Sequence, residues 1–125
     1  MRADENCPCG SGDRFGRCCL PLLVSERQAR SAEELMRSRF SAYLVGDVDY
    51  IWRTWHPRTR PGDVADHPAV TWTRLEILDR VAGGAGDDTG EVEFRAHHRT
   101  GALHERSRFA LRAGRWFYVD GELFD

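Results

Sequence analysis

All four cysteines of this 125-residue chain fall between residues 7 and 19, in the stretch Cys7-Pro8-Cys9-Gly10-Ser11-Gly12-Asp13-Arg14-Phe15-Gly16-Arg17-Cys18-Cys19. No other feature restricts the folding of the chain so tightly. A vicinal bridge between Cys18 and Cys19, or two crossing disulfides in so short a loop, would strain S–S geometry. The start is polar and acidic (Met1-Arg2-Ala3-Asp4-Glu5) and lacks the apolar core of a secretory signal. No run approaches the roughly 18 apolar residues that span a bilayer. The expectation is a cytoplasmic protein with reduced thiols, in which a tight thiol cluster reads as a metal site. Four soft thiolates suit tetrahedral zinc, with iron the competitor; disulfides or free thiols are the weaker alternative. Gly10, Gly12 and Gly16 permit tight chelating turns, and Phe15 is placed to pack as a lid.

The length suits one domain with a small appendage. We divide it into a metal-binding element with its linker, residues 1–24, and a main domain, residues 25–125. A hydrophobic fraction of 41% with 30% charged residues is ordinary globular composition. The formal net charge of −2 argues against a general nucleic-acid or anionic-membrane binder. All 18 basic residues are arginine, which codon bias explains as readily as a recognition role.

The main domain begins with helix signals. Ser31 and Glu34 form a capping box, and Met36, Phe40, Tyr43 and Leu44 follow at helical spacing before Gly46. Asp47 caps a second helix carrying Tyr50, Ile51 and Trp55, ended by Pro57. Residues 57–69, including His67, read as a loop. Strands are expected over 72–81, 91–99, 103–112 and 115–120, with a mobile glycine-rich turn over 83–88. Leu75, Ile77 and Val81 share one parity of the first strand. Two helices followed by an antiparallel meander make an α+β layer arrangement.

The third strand places Glu105 and Ser107 on the apolar face with Leu103, Phe109 and Leu111. A buried carboxylate is costly unless partnered, and Arg39 on the first helix is the available partner. One reading is a structural Arg39–Glu105 ion pair. The other is a pocket in which Glu105 is a general base and Arg39 an anion anchor. Its walls would be Tyr43 from the helix, Trp72 from the first strand, and Trp116, Tyr118 and Asp120 from the fourth. The five histidines show no chelating spacing and read as surface or capping residues.

CPCGSGDRFGRCC resembles the SEC-C motif, the metal-binding tail of the SecA translocation ATPase. The resemblance implies Cys7, Cys9, Cys18 and Cys19 as ligands, with zinc the usual metal and iron also proposed. Asp13 stands where the motif usually has a basic residue. The main domain is similar to the YchJ family of small bacterial proteins in several stretches. These are Leu35-Met36-Arg37-Ser38-Arg39-Phe40-Ser41-Ala42-Tyr43, Thr54-Trp55-His56-Pro57, Trp72-Thr73-Arg74-Leu75, His104-Glu105-Arg106-Ser107-Arg108-Phe109 and Gly114-Arg115-Trp116-Phe117-Tyr118-Val119-Asp120-Gly121. That resemblance implies a nuclear transport factor 2-like cone, a curved antiparallel sheet packed by N-terminal helices. Four thiolates leave a metal no open position for substrate. The expected role is thus a zinc-binding interaction module that meets a protein partner through the clasp, more a binder than an enzyme. The alternative is an enzyme or carrier using a small-molecule pocket in the cone.

Overall fold

The computed structural model describes residues 1–62, 64 and 70–124. The part of the expected loop that includes His67 lies outside the described residues. A 3-10 turn at Phe15–Arg17 leads into a short helix α1, Leu20–Leu23, where the sequence suggested a linker. Two further helices follow, α2 at Ala32–Val45 and α3 at Val48–Arg53. Four strands complete the chain: β1 Trp72–Ala82, β2 Thr89–His98, β3 Gly101–Arg112 and β4 Arg115–Phe124. They form one antiparallel sheet in the order β1-β2-β3-β4, the meander expected from the short turns. No described helix is long and apolar enough to cross a membrane.

The helix ends follow from their caps. Ser31 Oγ accepts from the Glu34 amide at 3.0 Å, and Asp47 accepts from the Tyr50 amide at 3.0 Å. Each satisfies an amide that the first turn leaves without a partner. The capping box is not reciprocal, since the Glu34 carboxylate accepts from the Arg30 amide at 3.2 Å instead. Gly46, at φ 83°, closes α2 in the left-handed conformation. Helix α3 ends before Trp55, which was expected within it. Trp55 instead forms a parallel bridge with Tyr118, fixed by the His56 amide on the Tyr118 carbonyl at 2.7 Å.

Three bulges curve the sheet, and each places its extra residue on an edge strand: Thr73 and Leu78 on β1, Val119 on β4. Each also reverses side-chain parity beyond it. Leu75 and Ile77 face inward as expected, but Val81 turns outward and is 48% exposed. Arg80 takes the inward side and pairs with Glu33 of α2. The turn over 83–88 is pinned rather than loose. The Ala32 amide donates to the Gly83 carbonyl at 2.9 Å, and the Leu111 amide to the Asp88 carbonyl at 2.8 Å.

Helix α2 runs between the concave sheet face and the N-terminal clasp, which explains its burial on nearly every side. Leu35, Met36 and Phe40 pack into the core, each contributing about 1.5–3 kcal/mol by removal from water. Its buried polar residues are all engaged. Ser38 and the Tyr50 hydroxyl share a 2.7 Å hydrogen bond, and Ser41 faces the clasp.

Candidate functional site

The clasp is built by three local devices. The Cys7 amide donates to the Asp13 carbonyl at 2.8 Å and the Gly10 amide to the Cys7 carbonyl at 3.3 Å, folding the first pair of cysteines into a knuckle. Gly10 and Gly12 adopt φ of 80° and 91°, conformations a side chain would resist. The Phe15 amide then bonds back to the Glu5 carbonyl at 2.8 Å. This returns the chain so that Cys18 and Cys19 arrive opposite the knuckle. Phe15, 3% exposed, packs among the core residues beneath.

All four Sγ atoms lie within 4.8 Å of one another, with Cys9–Cys18 at 3.6 Å and Cys18–Cys19 at 3.9 Å. A tetrahedral ion with metal–sulfur bonds of about 2.3 Å sets its sulfurs roughly 3.8 Å apart. The donor set is therefore within about 1 Å of the spacing such an ion requires. All four cysteines are free of disulfides. Cys7, Cys9 and Cys19 are buried, and only Cys18 is partly open.

The surrounding groups are those a thiolate cluster needs. The Ser11 hydroxyl receives the Asp13 amide at 3.2 Å and lies 3.1 Å from Cys18 Sγ, so its own proton is directed at the sulfur. Ser41 Oγ lies 3.8 Å from Cys7 Sγ. Arg37 donates to the Cys9 carbonyl at 2.5 Å and to Glu33 at 2.9 Å. Hydrogen bonds from Cys19 and Cys7 lower the Cys9 pKa. Burial pushes Cys18 up to about 12, and the bonds Cys19 makes to Cys7 and Cys9 raise it as well. The metal-free cluster thus holds protons that a bound cation displaces. Arg37 and Ser41 were not singled out from sequence. Their signal was the i, i+4 spacing of Glu33, Arg37 and Ser41, which puts one polar stripe of α2 against the clasp.

On the opposite side of α2, a cavity of about 260 Å³ lies under the curved sheet. Of the expected pocket residues, Arg39, Tyr43, Trp72, Glu105, Ser107 and Tyr118 line it, together with Trp55 and a floor of Met36, Phe40 and Phe94. Two expected members do not. Trp116 lies farther along β4, in a separate crevice of about 100 Å³ shared with Leu22 and Tyr50. Asp120 is carried to the outer sheet face by the bulge at Val119 and bonds Arg108 at 2.5 Å.

The expected Arg39–Glu105 ion pair is not formed, because each partner is held elsewhere. Arg39 Nη1 donates to the Ile51 carbonyl at 2.8 Å and to Thr54 Oγ1 at 2.7 Å. Its guanidinium lies 4.6 Å from the Tyr118 ring centroid and 5.3 Å from that of Trp55, an electrostatically favourable stack. Burial lowers its pKa while neighbouring tyrosines oppose that shift. Glu105 Oε2 accepts from Ser107 Oγ at 2.5 Å and from the Tyr118 hydroxyl at 3.1 Å. Burial, then the Glu105 charge, raises Tyr118, so the phenol keeps the proton it donates. The Glu105 carboxylate lies against Gly121, in the space that a Cβ at that position would occupy.

Among the described histidines none meets the thiol cluster, and His98 packs edge-on against Trp72 at the cavity wall with ring centroids 5.7 Å apart. His97 meets Glu76 at 3.0 Å and His104 meets Glu93 at 2.8 Å, on the outer sheet face.

Comparison with known proteins agrees with this geometry. Residues 31–121 match the family model described as YchJ, middle NTF2-like domain, and residues 5–21 match the SEC-C motif. A UPF0225 protein of Streptomyces coelicolor is 50% identical over 119 residues, covering 95% of this chain and 96% of its own. A UPF0225 protein of Corynebacterium efficiens is 42% identical over 123 residues, covering 96% and 95%. Among solved structures, a SEC-C motif containing protein from Rhodopseudomonas palustris superposes with a TM-score of 0.84 at 39% identity, covering 96% of this chain and 99% of that one.

Proposed function

The chain belongs to the YchJ family, and from that membership we propose that it is a zinc-binding cytoplasmic protein acting as a binding module. The carrying observation is the mutual approach of four Sγ atoms to within 4.8 Å. With four protein ligands the ion has no open position, so its role is to hold structure and present a surface rather than to activate a substrate. The exposed loop from Gly10 to Arg14, Asp13 included, is the part of the clasp that a protein partner would meet.

Elemental analysis of protein purified without added metal tests the assignment. One zinc per chain is expected, and iron at that stoichiometry would replace zinc in the proposal. Cys9→Ser should lose the ion, and with it any partner captured by the intact clasp. Capture unchanged in the metal-free variant would remove the clasp as the docking element.

A second reading is favoured by a different observation. The cone encloses about 260 Å³ with Arg39 and Glu105 in its lining but not paired to each other. That arrangement supports a carrier or enzyme for a small molecule.

A further inference from the structure

The cavity is walled by apolar and aromatic side chains and holds one carboxylate and one guanidinium, the only charged groups in its lining among the described residues. Arg39 is 3% exposed and committed by Nη1 to Ile51 and Thr54, with aromatic rings against its guanidinium. Its charge reaches the cavity, and its Nη1 is committed to the protein. Glu105 is held through one oxygen only. Its Oε2 takes both hydrogen bonds from Ser107 and Tyr118, which fixes the carboxylate plane and leaves Oε1 as an acceptor with no donor among the described residues. Ser107, wholly buried, cannot turn to another partner without abandoning that bond. Gly121 leaves the space in which the carboxylate lies.

Charge balance then selects among ligands. An anion entering the cavity meets Glu105 at close range, and a cation meets the field of Arg39 in a medium that screens poorly. Burying an unbalanced charge is costly. An uncharged molecule with a hydrogen-bond donor meets neither objection. The volume is slightly below the usual range of about 300–1,000 Å³ for ligand sites, which limits the occupant to a single substituted ring or its equivalent.

We propose that the cone cavity binds a small, flat, uncharged molecule that lies between its aromatic walls and donates an N–H or O–H to Glu105 Oε1, as a primary amide, lactam or phenol would. This rests on the small-molecule reading of the cone, and deepens it.

The test titrates the full, metal-loaded chain by heteronuclear NMR with four probes built on one ring: benzene, benzamide, benzoate and benzylamine. The indole N–H signals of Trp55 and Trp72 report on the cavity. Benzamide should bind about tenfold tighter than each of the other three. Glu105→Gln leaves Arg39 unbalanced, so it should weaken benzamide several-fold and strengthen benzoate by about tenfold. If that variant does not fold, the ranking in the native chain decides alone. Benzoate or benzylammonium binding tightest would overturn the uncharged class. Benzamide binding no better than benzene would overturn the bond to Glu105 and leave the cavity reading standing. No shift with any probe, benzene included, would remove the cavity reading as well.

Discussion

Gly121 shows how a single residue sets the electrostatics of the cone. Any side chain there would collide with the Glu105 carboxylate, which Ser107 and Tyr118 hold in place. Gly121→Ala should destabilise the fold by about 1–3 kcal/mol, the usual cost of overpacking. Most of that loss should vanish when Glu105→Ala is added. A double-mutant cycle by denaturant unfolding reads the coupling, and independent effects would contradict the contact. At the clasp, the raised Cys18 and Cys19 thiols must lose their protons before an ion binds. Metal affinity should therefore fall with acidification, by about a hundredfold per pH unit near neutrality for two displaced protons. Competition with a colorimetric chelator across pH measures the slope. The four sulfurs could be read from sequence because their clustering leaves few other outcomes. Asp120 could not be placed, since its side of the sheet depends on one extra residue at Val119. Nor could the Arg39–Glu105 geometry, because the Ile51 carbonyl and Thr54 compete for the arginine from a helix end whose approach is set only by tertiary packing.

At the scale of elements, the outer sheet face is a charged lattice. Arg106 bridges Asp79 at 2.6 Å, Glu93 at 2.9 Å and Glu91 at 3.3 Å. The His97 bond holds Glu76 below the ordinary carboxylate value of 4.5, the Arg106 bond holds Asp79 below 3.8, and the His104 bond holds Glu93 below 4.5. A lowered folded-state pKa contributes stability that is fully present above the ordinary value and is lost as pH falls through the folded one. The melting temperature should thus hold steady down to about pH 5 and decline below pH 4.5. Added salt should blunt the effect most at Asp79, which is exposed, and less at the half-buried Glu76 and Glu93. Arg106→Gln should flatten the acid limb measured by calorimetry, and an unchanged limb would show that the lattice contributes nothing. The elements themselves were legible where caps and alternation coincide, as at Ser31, Gly46, Asp47 and the β3 face. They were not legible at the bulges, which carry no special residue and invert Val81 relative to Leu75.

For the whole molecule, the clasp is not a loose appendage. Cys7, Cys9, Phe15 and Cys19 belong to the same apolar cluster as Leu35, Phe40 and Phe109. Metal removal by a strong chelator should release residues 1–24 to hydrogen exchange while β2 and β3 keep their protection, with a lowered overall melting temperature. Simultaneous loss of protection everywhere would make clasp and cone one cooperative unit. The SEC-C and cone signatures were legible along the whole chain, but which side of α2 each would face was not, because that helix is buried nearly all round and its polar stripe would serve a solvated face equally well. That placement has a consequence of its own. Arg37 and Ser41 grip α2 from the sulfur side, while Met36, Arg39, Phe40 and Tyr43 wall the cone from the other. A rod held between two sites is a lever shared by both. By whatever factor occupying the cone changes ion retention, loading the ion must change affinity in the cone by the same factor, a reciprocity that thermodynamic linkage requires.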